Sequence, residues 1–148
     1  MHKEWRIKEN STHPAPLIEK LLAARGVTGE KDIEEFLNPL QTKLSNPNVF
    51  LDMPKCVERL AKAIDNNEKI VIYGDFDADG VTSTSLLYRT LTHLGANVNY
   101  FIPDREKEGH GLDSKALVKL MTSVKPKVII TVDCGISNVE EVNFLNSF

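Results

Sequence analysis

Three carboxylates spaced two residues apart, Asp75, Asp77 and Asp79, stand in the middle of the chain, and Gly80 closes the run. Acids this close together repel one another unless a cation neutralises them. A divalent metal held by oxygen ligands is the simplest such cation, and hard carboxylates favour manganese or magnesium over zinc. The spacing therefore predicts a metal site. The alternative without function is an ordinary turn, since Asp and Gly are common turn residues.

Known sites with similar spacing differ in what they require around the acids. The calcium loop of an EF-hand needs a bidentate Glu at its twelfth position, which here is Leu86. The segment before Asp75 is also typical of a strand, so an EF-hand is excluded. Phosphatases of the haloacid dehalogenase type use a D-x-D-G-V loop, with Asp77 as nucleophile and Asp79 as acid/base. A two-metal phosphoesterase would instead use Asp75 and Asp77 as metal ligands.

The elements on either side of the acids predict where these side chains lie. Residues 70–73 are a short apolar run rich in β-branched side chains, as in strands buried on both faces. After Gly80 the apolar period becomes helical, with leucines on roughly one face. Carboxylates at the C-terminal end of a parallel strand lie where open α/β sheets bind ligands. Strand, acidic loop and helix therefore form one unit.

Two further strands are predicted at residues 97–102 and 128–132, with a helical segment between them. Strands that alternate with helices indicate parallel pairing through right-handed crossovers. The predicted fold class is therefore α/β, a parallel β-sheet with flanking helices, preceded by a short helical N-terminal segment. In such a sheet the loops after all three strands open onto the same edge. The second loop carries Arg105 and His110, and the third carries Asp133.

The shared edge predicts that distant residues meet. Asp133 can approach Asp75 and Asp77, and acids arranged in this way can hold two ions about 3.5–4 Å apart. Arg105 offers a forked cation suited to a phosphate, or forms a salt bridge with a neighbouring acid. His110 lies between two glycines, where it can bind phosphate, contact a metal or remain exposed in the loop.

Three motifs carry a resemblance to a known family: YGDFDADGVTST, the loop with IPDR and GHG, and ITVDCGIS. They occur in this order on the predicted edge and resemble the first three motifs of the DHH phosphoesterase superfamily. The match is closest to the single-strand-specific 5′→3′ DNA exonucleases of that superfamily. It also extends upstream, through ARGVTGEKDIEEFLNPL and DMPKCVERLAKAI.

The resemblance implies catalytic ligands of two manganese or magnesium ions at Asp75, Asp77 and Asp133. It implies Arg105 as a phosphate contact and Asp79 as a supporting residue behind the ligands. His110 is a second candidate for phosphate binding from its place between two glycines. The implied reaction is hydrolysis of single-stranded DNA from its 5′ end, in DNA repair and recombination. The alternatives are the phosphatase, which gives Asp133 no role, a non-catalytic replication scaffold, and a pyrophosphatase or short-oligonucleotide nuclease of the same superfamily.

The chain departs from the superfamily pattern in two ways. His110 stands where a tyrosine is expected, in the G-Y-G form of the second loop. The Asp-His-His motif and the C-terminal substrate-binding domain do not occur before Phe148. We therefore expect residues 1–66 to be an N-terminal helical segment and residues 67–148 a partial DHH domain, truncated before that motif. Such a fragment is expected to be inactive alone.

Composition limits the remaining function classes. The 148 residues carry a net charge of −3, which gives no global argument for a nucleic-acid surface. No apolar run approaches the ~18 residues of a membrane span, and the charged start MHKEWRIKEN lacks the apolar segment of a signal peptide. A cytoplasmic location with reduced cysteines is therefore expected. A helicase or single-strand-binding protein is a candidate partner through regions outside this chain.

Overall fold

Three short parallel strands form a sheet in the order β2-β1-β3. The middle strand is β1 (Ile70–Tyr73), and its neighbours are β2 (Val98–Phe101) and β3 (Val128–Thr131). The register pairs Tyr73 with Phe101 on one side and with Thr131 on the other. The three strands therefore end at the same level, and the loops that follow them open on one edge, as the sequence predicts.

The computed structural model describes residues 16–39 and 44–147. The chain forms two compact units that divide between Val49 and Phe50, and the sheet belongs to the second. The described part of the first unit contains α1 (Leu17–Ala23), α2 (Glu30–Leu37) and a 3-10 turn at Pro47–Val49. In the described part of the chain, no helix has the length and apolar character needed to span a membrane.

Four helices accompany the sheet in the described part of the second unit, and they alternate with the strands along the chain: α3 (Met53–Asp65), α4 (Ala78–His93), α5 (Ser114–Ser123) and α6 (Val139–Asn146). A parallel strand can follow another only through such a crossover, because the chain must return to the edge from which it started. The predicted α/β class is confirmed.

The two faces of β1 support two separate apolar clusters. Successive side chains of a strand point to opposite faces. Val71 and Tyr73 pack on one face with the buried side of α5, and Ile70 and Ile72 pack on the other face with Ala63 of α3 and with α4. All four residues of β1 are at most 1% exposed. The strand that leads to the acids is thus held rigidly on both faces.

The position of α3 separates the observed units from the predicted domains. The predicted boundary follows residue 66, whereas the compact units divide after Val49. Ala63 is fully buried against Ile70 and Ile72, so α3 covers one face of β1 and belongs to the unit that contains the sheet. The predicted boundary after residue 66 was placed just before the first motif. The positions of the motifs do not show which helix packs on the sheet.

Candidate active site

Asp75, two residues after β1, is the most buried acid of the edge. The residue is 7% exposed. Its Oδ1 accepts a hydrogen bond from the backbone N–H of Phe76 at 2.7 Å, and its Oδ2 lies 3.2 Å from Nδ1 of His110. A buried carboxylate needs partners of this kind, because taking it out of water without them is costly. The first loop therefore presents Asp75 already paired with the second loop.

Asp77 begins the helix that follows the acidic loop. Its Oδ1 accepts hydrogen bonds from the backbone N–H groups of Asp79 at 3.1 Å and of Gly80 at 3.0 Å. This is N-capping, in which a side-chain oxygen satisfies N–H groups of the first turn. These bonds, that from Gly80 above all, lower the pKa of the Asp77 carboxyl. The Asp77 carboxyl group therefore remains ionised at lower pH than an ordinary carboxyl group does.

Two glycines allow the acidic loop to lie directly against α4. A Cβ atom on Gly80 would overlap the backbone of Asp75, and one on Gly74 would overlap the hydroxyl of Thr84. No larger residue fits at Gly80 without moving the loop. Backbone contact therefore fixes the separation of Asp75 and Asp77, and this explains the glycine that closes the run of acids.

Asp133 arrives from the loop after β3, as predicted. Its backbone is in the left-handed region with φ 59°, which Asp tolerates better than most residues. Its carboxyl lies within hydrogen-bonding reach of Asp77. Desolvation raises the pKa of Asp133, as do the negative charges of Asp77, Asp79 and Asp75 in that order. The fourth acid therefore shares one electrostatic environment with the three acids of the first loop.

Arg105 is exposed and points its charge at an aromatic ring. Its guanidinium carbon lies 5.5 Å from the ring centroid of Phe76. The neighbouring acids are engaged elsewhere, since Asp104 pairs with Lys107 at 3.1 Å and Glu108 accepts the backbone N–H of Asp104 at 2.7 Å. Arg105 has no ion-pair partner among the described residues. The salt-bridge alternative is thus not adopted, and the N–H groups of Arg105 remain available to an anion.

His110 contacts both Asp75 and the ring beside it. The His110 side chain is 69% exposed, yet its ring centroid lies 4.3 Å from that of Phe76. Gly109 and Gly111 flank it with φ of 74° and 80°, a conformation that glycine adopts without strain. These turns bring the imidazole back toward the first loop, where it contacts Asp75 and Phe76.

The model of the DHH family, N-terminal domain, matches residues 69–147. The chain belongs to the DHH family. Among curated DHH relatives, the single-stranded-DNA-specific exonuclease RecJ of Bacillus subtilis is 42% identical over 87% of this chain and 16% of its own length. RecJ of Haemophilus influenzae is 36% identical over 92% of this chain and 23% of its own length. The chain thus spans about a fifth of the length of these relatives.

Solved DHH structures agree with the fold. A crystal structure of exonuclease RecJ bound to manganese has a TM-score of 0.59 and 36% identity over 64% of this chain and 24% of that one. RecJ from Thermus thermophilus, in complex with Mn²⁺, has a TM-score of 0.59 and 27% identity over 90% of this chain and 20% of its own. The predicted resemblance to the single-strand-specific DNA exonucleases of the DHH superfamily is confirmed. The phosphatase and scaffold alternatives are not favoured by these matches.

The loops after β1, β2 and β3 form one edge of the sheet, here called the DHH edge. The donor groups at this edge suit a hard divalent ion, because they are carboxylate oxygens with one imidazole. Their side chains stand as two pairs, Asp75 with His110 and Asp77 with Asp133. Within residues 16–39 and 44–147, no group of three or more His, Cys, Asp or Glu side chains converges in a way that could hold an ion. The structure therefore brings the predicted ligands to one edge but not to one point.

Three residues of the DHH edge were not predicted from the sequence. Phe76 holds Arg105 and His110, and its only sequence signal is an aromatic ring between two acids. The Tyr73 hydroxyl accepts the backbone N–H of Asp113 at 3.2 Å. Asn138 Oδ1 accepts the N–H of Leu112 at 3.3 Å. Tyr73 and Asn138 tie the second loop to β1 and to the third loop, and neither carries a sequence signal for that role.

Proposed function

We propose that this chain is the N-terminal part of a metal-dependent phosphodiesterase that hydrolyses single-stranded DNA from its 5′ end. The observation that carries the proposal is the position of Asp133 beside Asp77, because it joins acids from two separate loops at the end of a parallel sheet. The names of the curated relatives support the substrate. A DNA substrate agrees with the predicted cytoplasmic location, and a helicase or single-strand-binding protein remains the predicted partner.

In this proposal Asp75, Asp77 and Asp133 hold two ions of manganese or magnesium. When bound there, such ions would supply an activated water molecule and would stabilise charge on the leaving oxygen. Asp77 suits this role because its N-cap hydrogen bonds keep it ionised. His110 holds the inner carboxylate Asp75. Asp79 supports the loop through its backbone and adds negative charge near Asp133.

Arg105 is proposed to bind the phosphate of the strand, with His110 as the second candidate. Its guanidinium presents five N–H donors in one plane, an arrangement that matches phosphate oxygens. The absence of a competing ion pair among the described residues supports this role. Further ligands are proposed to lie in parts of the protein outside this chain, because the described carboxylates stand as two pairs.

The test is nuclease activity of a longer protein that contains this chain, measured with manganese on 5′-labelled and 3′-labelled single strands and on duplex DNA. Asp133→Asn is expected to reduce hydrolysis of the single strand by at least about a hundredfold, while the protein stays folded. Asp65→Asn is the matched control, because Asp65 is exposed at the end of α3. Near-normal activity of Asp133→Asn would show that Asp133 is not a ligand.

A further inference from the structure

Phe76 stands between two proposed ligands but turns its ring toward the second loop. The ring contacts two residues of that loop. Its centroid is 4.3 Å from the His110 ring, with an angle of 44° between the planes, and 5.5 Å from the Arg105 guanidinium carbon. These distances are those of a tilted aromatic pair and of a cation–π contact. The Phe76 side chain therefore contacts both proposed phosphate-binding residues.

The backbone and neighbours of Phe76 fix the position of its ring. The N–H of Phe76 donates to Oδ1 of Asp75, and Oδ2 of the same carboxylate lies beside His110. Asp75 and His110 thus hold Phe76 from the backbone side and from the ring side. Asp75 is itself buried at the end of a rigid strand. The ring is therefore a fixed surface on the first loop, against which residues of the second loop are placed.

Arg105 needs such a surface. Its side chain is long and exposed, and it has no ion-pair partner among the described residues. Ordering a free arginine when a phosphate binds costs conformational entropy. A cation–π contact holds the guanidinium without an ion pair, so Arg105 can still offer N–H donors to an anion.

We propose that Phe76 is a positioning residue that holds the Arg105 guanidinium over its ring, in place to receive a phosphate of the DNA strand. The proposal rests on the phosphate role of Arg105 stated above and adds the residue through which that role is organised. Phe76 acts through Arg105 and does not contact the strand itself. Two measurements distinguish a positioning role through Arg105 from direct contact of Phe76 with the strand.

The first measurement is the proton chemical shift of the Arg105 guanidinium in the 148-residue chain labelled with ¹⁵N. A group above an aromatic ring is shifted upfield by the ring current, so Phe76→Leu should move the Arg105 signal downfield, and Phe76→Tyr should leave it nearly unchanged. Arg105→Lys assigns the signal by removing it. Tyr100→Leu is the matched control, because Tyr100 is 58% exposed and pairs with Tyr88, outside the site. An Arg105 signal unchanged in Phe76→Leu overturns the proposal.

The second measurement is a double-mutant cycle on binding of a 5′-phosphorylated oligothymidylate, followed by fluorescence anisotropy with EDTA present so that the strand stays intact. Arg105→Ala should weaken binding about tenfold. Phe76→Leu should weaken it about two- to fivefold. In the Arg105→Ala background, Phe76→Leu should have no further effect, because the two residues act as one unit.

Two other outcomes of the binding measurements would overturn the proposal. Equal losses from Phe76→Leu with and without Arg105 would mean that Phe76 acts on the strand directly or through His110 and not through Arg105, and this overturns the positioning role. Unchanged binding in Arg105→Ala would overturn the phosphate role of Arg105, and with it the purpose assigned to Phe76. The chemical shift would still report whether the Phe76–Arg105 contact exists, so a failure of the proposed function is distinguished from a failure of the contact.

Discussion

Asp133 and Asp77 lie within hydrogen-bonding reach of each other across the sheet edge, and their pKa values move in opposite directions. Hydrogen bonds from Gly80 and Asp79 lower the pKa of Asp77. Desolvation and the neighbouring acids raise the pKa of Asp133. When one proton is shared by the pair, Asp133 carries it. An ion that binds both carboxylates must displace this proton, so metal affinity should increase with pH.

Asp77 has two functions that substitution can separate. Asparagine is as good an N-cap as aspartate, whereas alanine is a poor one. Asp77→Asn should therefore keep the thermal stability of the chain, and Asp77→Ala should lower the free energy of unfolding by about 0.5–2 kcal/mol. Both should weaken manganese binding, because both remove the charge. Thermal unfolding and calorimetric titration measure the two effects. Loss of stability in Asp77→Asn would contradict the capping role.

Asp133 should make the protein less stable as pH rises. Its pKa is higher in the folded protein than the ordinary value of 3.8, so the folded state binds its proton more tightly than the unfolded state. This stabilisation is complete below the ordinary value and is lost as pH rises through the folded value. Asp133→Asn has no such proton and tolerates the left-handed backbone. Relative to the natural chain, its stability should increase from about pH 3 to about pH 7.

Denaturant unfolding of both proteins across this pH range, without metal, measures the difference. Asp65→Asn is the control for an exposed carboxylate outside the edge. Asp77 has the opposite sign, since its lowered pKa gives stability that is present above the ordinary value and lost as pH falls. Comparing Asp133→Asn with the natural chain cancels that contribution to a first approximation. A difference that stays constant with pH would contradict the proposed coupling of Asp133 to the other acids.

The sequence predicts the sheet because its signals are local. A buried apolar run and a change of period at Gly80 do not depend on distant residues, and parallel pairing then places the three loops on one edge. The partners of single side chains are not local. The contacts of Phe76 with Arg105 and His110 can be recognised only when the second loop is folded back on it. The contact of Asn138 with Leu112 can be recognised only when the start of α6 is placed beside that loop. The assignment of α3 to one unit is not local either, because its apolar face fits either unit in sequence.

The two cysteines should differ in reactivity. Burial, followed by the charges of Asp75 and Asp133, raises the pKa of the Cys134 thiol to about 11, and its Sγ donates weakly to the Tyr73 carbonyl at 3.7 Å. Since the thiolate is the reactive form, Cys134 should be alkylated slowly at about pH 8. Cys56 is exposed and should react first. Iodoacetamide labelling of Cys56→Ala and Cys134→Ala, followed by mass spectrometry, measures each rate. Equal rates would show that Cys134 is not shielded.

The last prediction concerns metal binding by the 148-residue chain itself. The predicted ligands stand as two pairs, and no group of three or more suitable side chains converges within the described residues. Loss of even one supporting residue typically lowers metal affinity about 10–100-fold, so a site that lacks several ligands should bind weakly. We expect the chain to bind manganese weakly, and to bind it more tightly as pH rises through the raised pKa of Asp133.

Calorimetric titration with manganese at several pH values measures this affinity, and a nuclease assay on 5′-labelled single strands measures turnover. Asp133→Asn should show weaker binding and little pH dependence, because its side chain has no proton for the ion to displace. A low but measurable affinity that depends on Asp133, without turnover, would agree with a site completed by residues outside this chain. Tight binding of two ions with clear hydrolysis would mean instead that Asp75, Asp77 and Asp133 suffice.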